Sequence, residues 1–209
     1  MRTSEEFHKR RLDMLLHALQ RPSIYCGTYH CADLFFGMVL SDLSWLDERE
    51  SELAAIQRQL LHGSLRVYGQ FVFQHLKKPD EFVNEIASTY AQAAYRLGFY
   101  KPTLLLNDAD FHHLKSSINM EFFAVDHTLS EIVSRFGKPT HEVIGGETEV
   151  HCYGGCDLDA DWIFFDYTRC PPGQRSGAIE YYEDAKLRDV RRRSNLMELL
   201  PFASWCRSK

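Results

Sequence analysis

Thr140-His141-Glu142-Val143-Ile144-Gly145-Gly146-Glu147-Thr148-Glu149-Val150-His151-Cys152-Tyr153, followed after a short loop by Asp161-Trp162-Ile163-Phe164-Phe165-Asp166-Tyr167, decides the fold class of this chain. Runs rich in β-branched and aromatic residues, broken by glycine pairs, read as an antiparallel meander. Val143 to Thr148 predicts a hairpin with a Gly-Gly turn. Between Thr140 and Thr168 the chain carries seven carboxylates and no lysine or arginine: Glu142, Glu147, Glu149, Asp157, Asp159, Asp161 and Asp166. Negative charge is thus concentrated beside large aromatic rings. That pattern suits a surface for a basic partner better than a site that turns over a substrate.

Working outward, Thr128-Leu129-Ser130-Glu131 is a capping box for a helix from Leu129 to Phe136, ended by Gly137 and Pro139. Asn119 to Val125 reads as a strand. Ile179 to Glu183 and Leu187 to Arg192 would complete the sheet, after a polar loop from Gly173 to Gly177. Asn195 to Trp205 reads as a final helix interrupted by Pro201.

The first half has helical periodicity. Thr3 and Glu6 form a capping box, and Phe7, Leu12, Leu15, Leu16 and Leu19 follow helical spacing up to Pro22. A second helix from about Cys31 to Leu46 is apolar on most sides, which predicts a central position. A third runs from about Glu48 to His62, stopped by Gly63. Leu65 to Leu76 fits a helix slightly better than a strand. Pro79 opens a further helix with Phe82, Ile86, Tyr90, Ala93, Ala94 and Leu97 inward, closed by Gly98. Asp108 or Asp110 would cap a short helix after Leu104.

At 209 residues, with 44% hydrophobic and 13% aromatic residues, the chain can build a real core. Its net charge of −5 argues against a general nucleic-acid binder and is compatible with a basic protein partner. No apolar run approaches the roughly 18 residues of a membrane span. The N-terminus has no signal-like apolar region, so a cytoplasmic location with six reduced cysteines is expected.

Arg21-Pro22-Ser23-Ile24-Tyr25-Cys26-Gly27 has the form R-P-x-x-Y-x-G. The GHKL ATPases carry a similar string, but here no D-x-G-x-G and no glycine-rich lid follow. The string, in a helix-turn-helices setting, resembles a group of bacterial proteins that includes immunity proteins of toxin systems. Those have methionine where this chain has Ile24. Read from the residues alone, Pro22 ends a helix, Tyr25 packs back, and Gly27 supplies an unusual φ before a Thr28 cap. Phe136-Gly137-Lys138-Pro139, with the meander and Trp162-Ile163-Phe164-Phe165-Asp166-Tyr167, is likewise similar to small bacterial immunity or accessory domains. This resemblance implies a fold more than an activity.

His151, Cys152, Cys156 and Cys170 lie within one short stretch, and Cys152 with Cys156 could supply half a zinc site. A second pair is missing, and His151 and Cys152 should face opposite ways on a strand. Asp157-Leu158-Asp159-Ala160-Asp161 begins like a calcium loop, but Trp162 and Thr168 stand where glycine and glutamate are needed. Asp108, Asp110, His112 and His113 match no hydrolase motif, and no nucleotide-binding glycine loop is present.

The expectation is therefore an α+β protein, with a helical region 1–118 and a meander region 119–209 sharing one core. The expected function is immunity-type binding of a basic cognate toxin, without catalysis, metal or other cofactor. Contact residues would be Glu147, Glu149, Asp157, Asp159, Asp161 and Trp162 on an acidic sheet face. The alternatives are a small enzyme or zinc protein using His151, Cys152, Cys156 and Cys170, and a scaffold that oligomerises through its helices.

Overall fold

The structure is a computed structural model that describes residues 3–61, 83–118, 126–170 and 181–192. The fold is α+β, with helices in the N-terminal part and a four-stranded antiparallel sheet in the C-terminal part. It divides into two compact units, Met1–Lys101 and Pro102–Lys209, each taken by itself below.

In the first unit, α1 spans Ser4–Gln20, and Thr3 and Glu6 close the expected capping box. A single 3₁₀ turn, Pro22–Ile24, follows. Tyr25 packs back as anticipated: its hydroxyl lies 2.8 Å from His17 Nδ1. Gly27 does not adopt a positive φ, contrary to expectation. The Thr28 hydroxyl accepts from Cys31 N and starts α2, Tyr29–Leu46. Arg11 pairs with Asp42 at 2.9 Å across α1 and α2. α3, Glu50–Ile56, runs on into one wider π turn, Gln57–Leu61. The anticipated Gly63 stop and Leu65 to Leu76 helix lie outside the described residues.

α4 spans Val83–Arg96, and every residue from Val83 to Ala94 is buried, polar ones included. It is the most enclosed helix described, the place the sequence suggested for α2. Tyr90 stacks on Phe36 of α2 and donates its hydroxyl to Asp33 at 2.7 Å. α2 buries Phe36, Val39, Leu40 and Leu43 but leaves Leu34, Met38 and Trp45 exposed. Gly98 ends α4 with a φ of 73°, which glycine adopts without steric cost.

In the second unit, α5 spans Asp108–Ser117 and is capped by Asn107, whose side chain accepts from Asp110 N at 2.8 Å. The cap thus falls one residue before the aspartates expected to supply it. α6 is Leu129–Phe136, with the Thr128–Glu131 box in place and Gly137 at φ 79°. The strands are β1 His141–Gly145, β2 Thr148–Tyr153, β3 Ile163–Thr168 and β4 Lys186–Arg192, in spatial order β1-β2-β3-β4. Gly145 pairs with Thr148, so the hairpin turn is Gly146-Glu147, one residue later than the predicted Gly-Gly pair. Gly146 has φ 60° and Glu147 does not have a positive φ, the pattern of a type II′ turn.

The register sorts the sheet into two faces. Tyr153, Ile163, Phe165, Tyr167, Leu187 and Val190 share one face and form a core with Phe111, Leu114 and Ile118 from α5 and its end, and Ile132 and Phe136 from α6. α5 therefore belongs with the sheet, and the division between units falls at 101/102, earlier than the 118/119 boundary read from the sequence. The opposite face carries His141, Val143, Val150, Cys152, Phe164, Asp166 and Arg191, all buried. Every residue of β2 and β3 is buried. The expected open, acidic sheet face is absent from these two central strands.

Candidate functional site

The seven carboxylates between Thr140 and Thr168 have three different fates, and position along the strands decides which. Asp166 is fully buried in β3. Arg191 in the neighbouring strand reaches it with two nitrogens, Nε at 2.6 Å and Nη2 at 2.9 Å. The guanidinium also lies 4.6 Å from the centre of the Phe164 ring. This fork-to-fork pair is structural; both groups are sealed from solvent.

Glu149 is also buried, which corrects its assignment as a contact residue. His151, two residues along and on the same face of β2, places Nε2 2.9 Å from Glu149 Oε1. An ionised carboxylate only accepts, so Nε2 carries the proton. Arg169 donates to the second oxygen at 2.9 Å. Burial by itself pushes the Glu149 carboxyl up, but the hydrogen bonds from His151 and Arg169 outweigh it and hold the group below the usual carboxylate range. The Tyr167 ring meets the imidazole edge to face at 5.2 Å, and its buried hydroxyl is held far above the ordinary phenol range by desolvation. The His151 Nδ1 and Tyr167 hydroxyl are buried and have no hydrogen-bond partner among the described residues. An imidazole polarised by a carboxylate can move protons, but this one is only 3% exposed.

The remaining acids reach the surface, but not together; Glu142 is exposed on β1. Glu147 is half-buried in the β1–β2 turn. Asp157, Asp159 and Asp161 lie in the β2–β3 loop, beyond the other end of β2. The six residues of β2 separate the two places by about 20 Å at the rise of an extended strand. The predicted patch is therefore split.

The β2–β3 loop is the better-built half. Its base is fastened on three sides. Gly154 N donates to the Thr140 hydroxyl at 2.9 Å. Leu106 N donates to the Gly154 carbonyl at 2.9 Å, and the Cys156 thiol lies 3.4 Å from the Leu106 carbonyl. The Trp162 indole is fully buried against Gly154, and Phe111 lies against Gly155. Trp162 is thus not a surface anchor for a partner: it is the weight on the loop's base. Above that base Asp157, Leu158 and Asp159 are exposed and Asp161 is half-buried. Asp159 N donates to Asp157 Oδ1 at 2.9 Å, which turns the tip. Leu158, between two acids, is a 53% exposed apolar side chain that the acidic pattern of the sequence does not single out.

The four residues considered as zinc ligands do not converge. His151 and Cys152 point to opposite faces of β2, as strand alternation requires. Cys156 is exposed in the β2–β3 loop, while Cys170 follows β3 at the other end of the sheet. Cys152 is fully buried, and desolvation raises its thiol far above the ordinary range, which disfavours the thiolate a metal needs. Among the described residues no group of three or more His, Cys, Asp or Glu side chains could hold a metal ion. Among them, too, no helix is long and apolar enough to cross a membrane. Comparison of the chain with protein-family models, with curated proteins and with solved structures gives no match.

Proposed function

We propose that this protein is an immunity-type inhibitor that binds a basic bacterial toxin in the cytoplasm of the cell producing it. The acidic loop between β2 and β3 is the contact. One observation carries the reading. Asp157, Leu158 and Asp159 are exposed at the tip of a loop whose base is held by Thr140, Leu106 and the buried Trp162 indole. A held loop loses little conformational freedom on binding, so its contacts are not offset by ordering cost. Asp157 and Asp159 would face lysines or arginines of the toxin, with Leu158 seated between them as the apolar contact. Asp161 adds to the field felt by an approaching partner. No cofactor is required, and the buried Glu149, His151 and Tyr167 group has a packing role. The R-P-x-x-Y-x-G turn and the F-G-x-P helix end, similar to bacterial immunity proteins, support the same reading.

The test is binding kinetics against the product of the adjacent upstream gene, since such inhibitors are encoded beside their toxins. Reversing Asp157, Asp159 and Asp161 to lysine is expected to slow association at low salt by roughly tenfold or more and to leave the melting temperature little changed. An unchanged association rate in the folded triple variant would remove this loop from the interface. No binding by the wild-type protein would remove the proposed partner.

A further inference from the structure

We propose that the outer edge of β1 receives an extended peptide segment of another protein, which adds a strand to the sheet and sets a basic side chain beside Glu142 and an aliphatic one beside Ile144. The two edges of the sheet differ. β4 is covered by the chain's own approach to α6: Leu187 N donates to the His127 carbonyl at 2.9 Å, Leu129 N donates to the Ala185 carbonyl at 2.8 Å, and Thr128 pairs with Lys186. β1 stands at the other end of the spatial order, and among the described residues no strand pairs with its outer side. An open edge is a row of backbone donors and acceptors that another extended chain completes.

The pairing register fixes which groups face outward. A two-residue turn closes on a hydrogen-bonded pair, here Gly145 and Thr148, and the pattern alternates from there. Gly145, Val143 and His141 therefore turn their N–H and C=O towards β2. Thr140 N donates to the Cys152 carbonyl at 2.8 Å, which shows independently that Cys152 faces β1 with its backbone. Glu142 and Ile144, opposite His151 and Glu149, direct their N–H and C=O away from the sheet. Their donors and acceptors repeat about 7 Å apart along the strand, the spacing at which a second strand presents its own. Both residues are accessible: Glu142 is exposed and Ile144 is 45% exposed. β1 has neither the proline nor the lysine that keeps edges single.

Side chains choose the occupant. Glu142 and Ile144 lie on one face of β1, two residues apart, so an entering strand sets one side chain beside each. The Glu142 carboxylate forms no ion pair among the described residues, unlike Glu149, whose charge His151 and Arg169 already meet. Lysine or arginine beside Glu142 and isoleucine or valine beside Ile144 therefore complement this edge. A second copy of β1 would bring another carboxylate and no cation, so the edge suits a segment of a different protein, with a basic and an aliphatic residue two places apart. A strand this short makes a reversible contact.

The probe is the peptide acetyl-Thr-Lys-Thr-Ile-Thr-Lys-Thr-amide, which sets isoleucine beside Ile144 and lysine beside Glu142 whichever way it runs. Titrated at millimolar concentration into the isotope-labelled full chain, it is expected to shift the Glu142 and Ile144 amide signals saturably and to slow their hydrogen exchange. Ile144→Pro removes one outward donor and no bond to β2, a placement that an edge strand tolerates. It should keep the wild-type circular dichroism and weaken peptide binding roughly fivefold or more. Glu142→Lys, a surface change, should also weaken it, and should instead favour the same peptide with glutamate at both lysine places. Amides of Glu142 and Ile144 that the peptide leaves unmoved, or Ile144→Pro protein that binds as tightly as the wild type, would overturn the proposal. Protection of both amides that grows with protein concentration before any peptide is added would overturn it in favour of self-pairing. The peptide carries no toxin sequence, so none of these outcomes bears on the toxin reading.

Discussion

Asp166 and Arg191 are charged in the interior because each satisfies the other, and the sheet pays the desolvation of both. Removing one partner leaves an uncompensated buried charge, which typically costs about 3–5 kcal/mol. Asp166→Asn is expected to fall in that range in urea denaturation at neutral pH, and a loss near zero would show that the pair is solvated. Glu149 is a gentler case with a pH signature. Its folded pKa lies below the unfolded one, so the stability it contributes is fully present above about 4.3, the unfolded value. That stability is lost as pH falls through the lower folded value. Glu149→Gln removes it at every pH. The gap in unfolding free energy between wild type and Glu149→Gln should therefore be widest at neutral pH and shrink on acidification below about pH 4. A gap that stays constant with pH would detach the effect from the carboxylate's charge. The arginine partners of these acids are not legible from neighbouring residues, because only the strand pairing brings Arg169 and Arg191 across to them, whereas His151 lies two residues from Glu149 on the same strand.

At the scale of elements, local chemistry did most of the work where a signal was complete within a few residues. The Thr3–Glu6 and Thr128–Glu131 boxes and the Gly137 stop are read from neighbours and are found as read. Shifts of one residue arise where two neighbours compete for one role. Asn107 takes the cap from Asp108, and register moves the hairpin turn onto Gly146-Glu147. Gly154 and Gly155 have a meaning no local rule supplies. A Cβ on Gly154 would lie 2.4 Å from the Trp162 indole nitrogen, and one on Gly155 2.7 Å from the Phe111 ring. Gly154→Ala should therefore lift the indole from the loop base and destabilise the protein by about 1–3 kcal/mol, as overpacked cores do. Thermal melting followed by Trp fluorescence measures it, and an unshifted melt with unchanged emission would show that the loop base is loose.

Across the whole molecule, the proposed function rests on what remains exposed at the tip of the β2–β3 loop. The proposed binding through Asp157, Asp159 and Asp161 depends on long-range attraction, so its association rate should fall as ionic strength rises and the field is screened. The α+β class, the starts of α1 and α6, the Gly137 stop and the position of the meander follow from the sequence alone, since each rests on periodicity and capping over a few neighbouring residues. Burial does not. Whether Glu149 and Trp162 meet a partner or sit inside, whether α2 or α4 is the enclosed helix, and whether a run of acids forms one patch or two ends of a sheet depend on residues distant in the chain. Only the tertiary structure decides those, because solvent exposure belongs to the packed molecule and not to any segment of it.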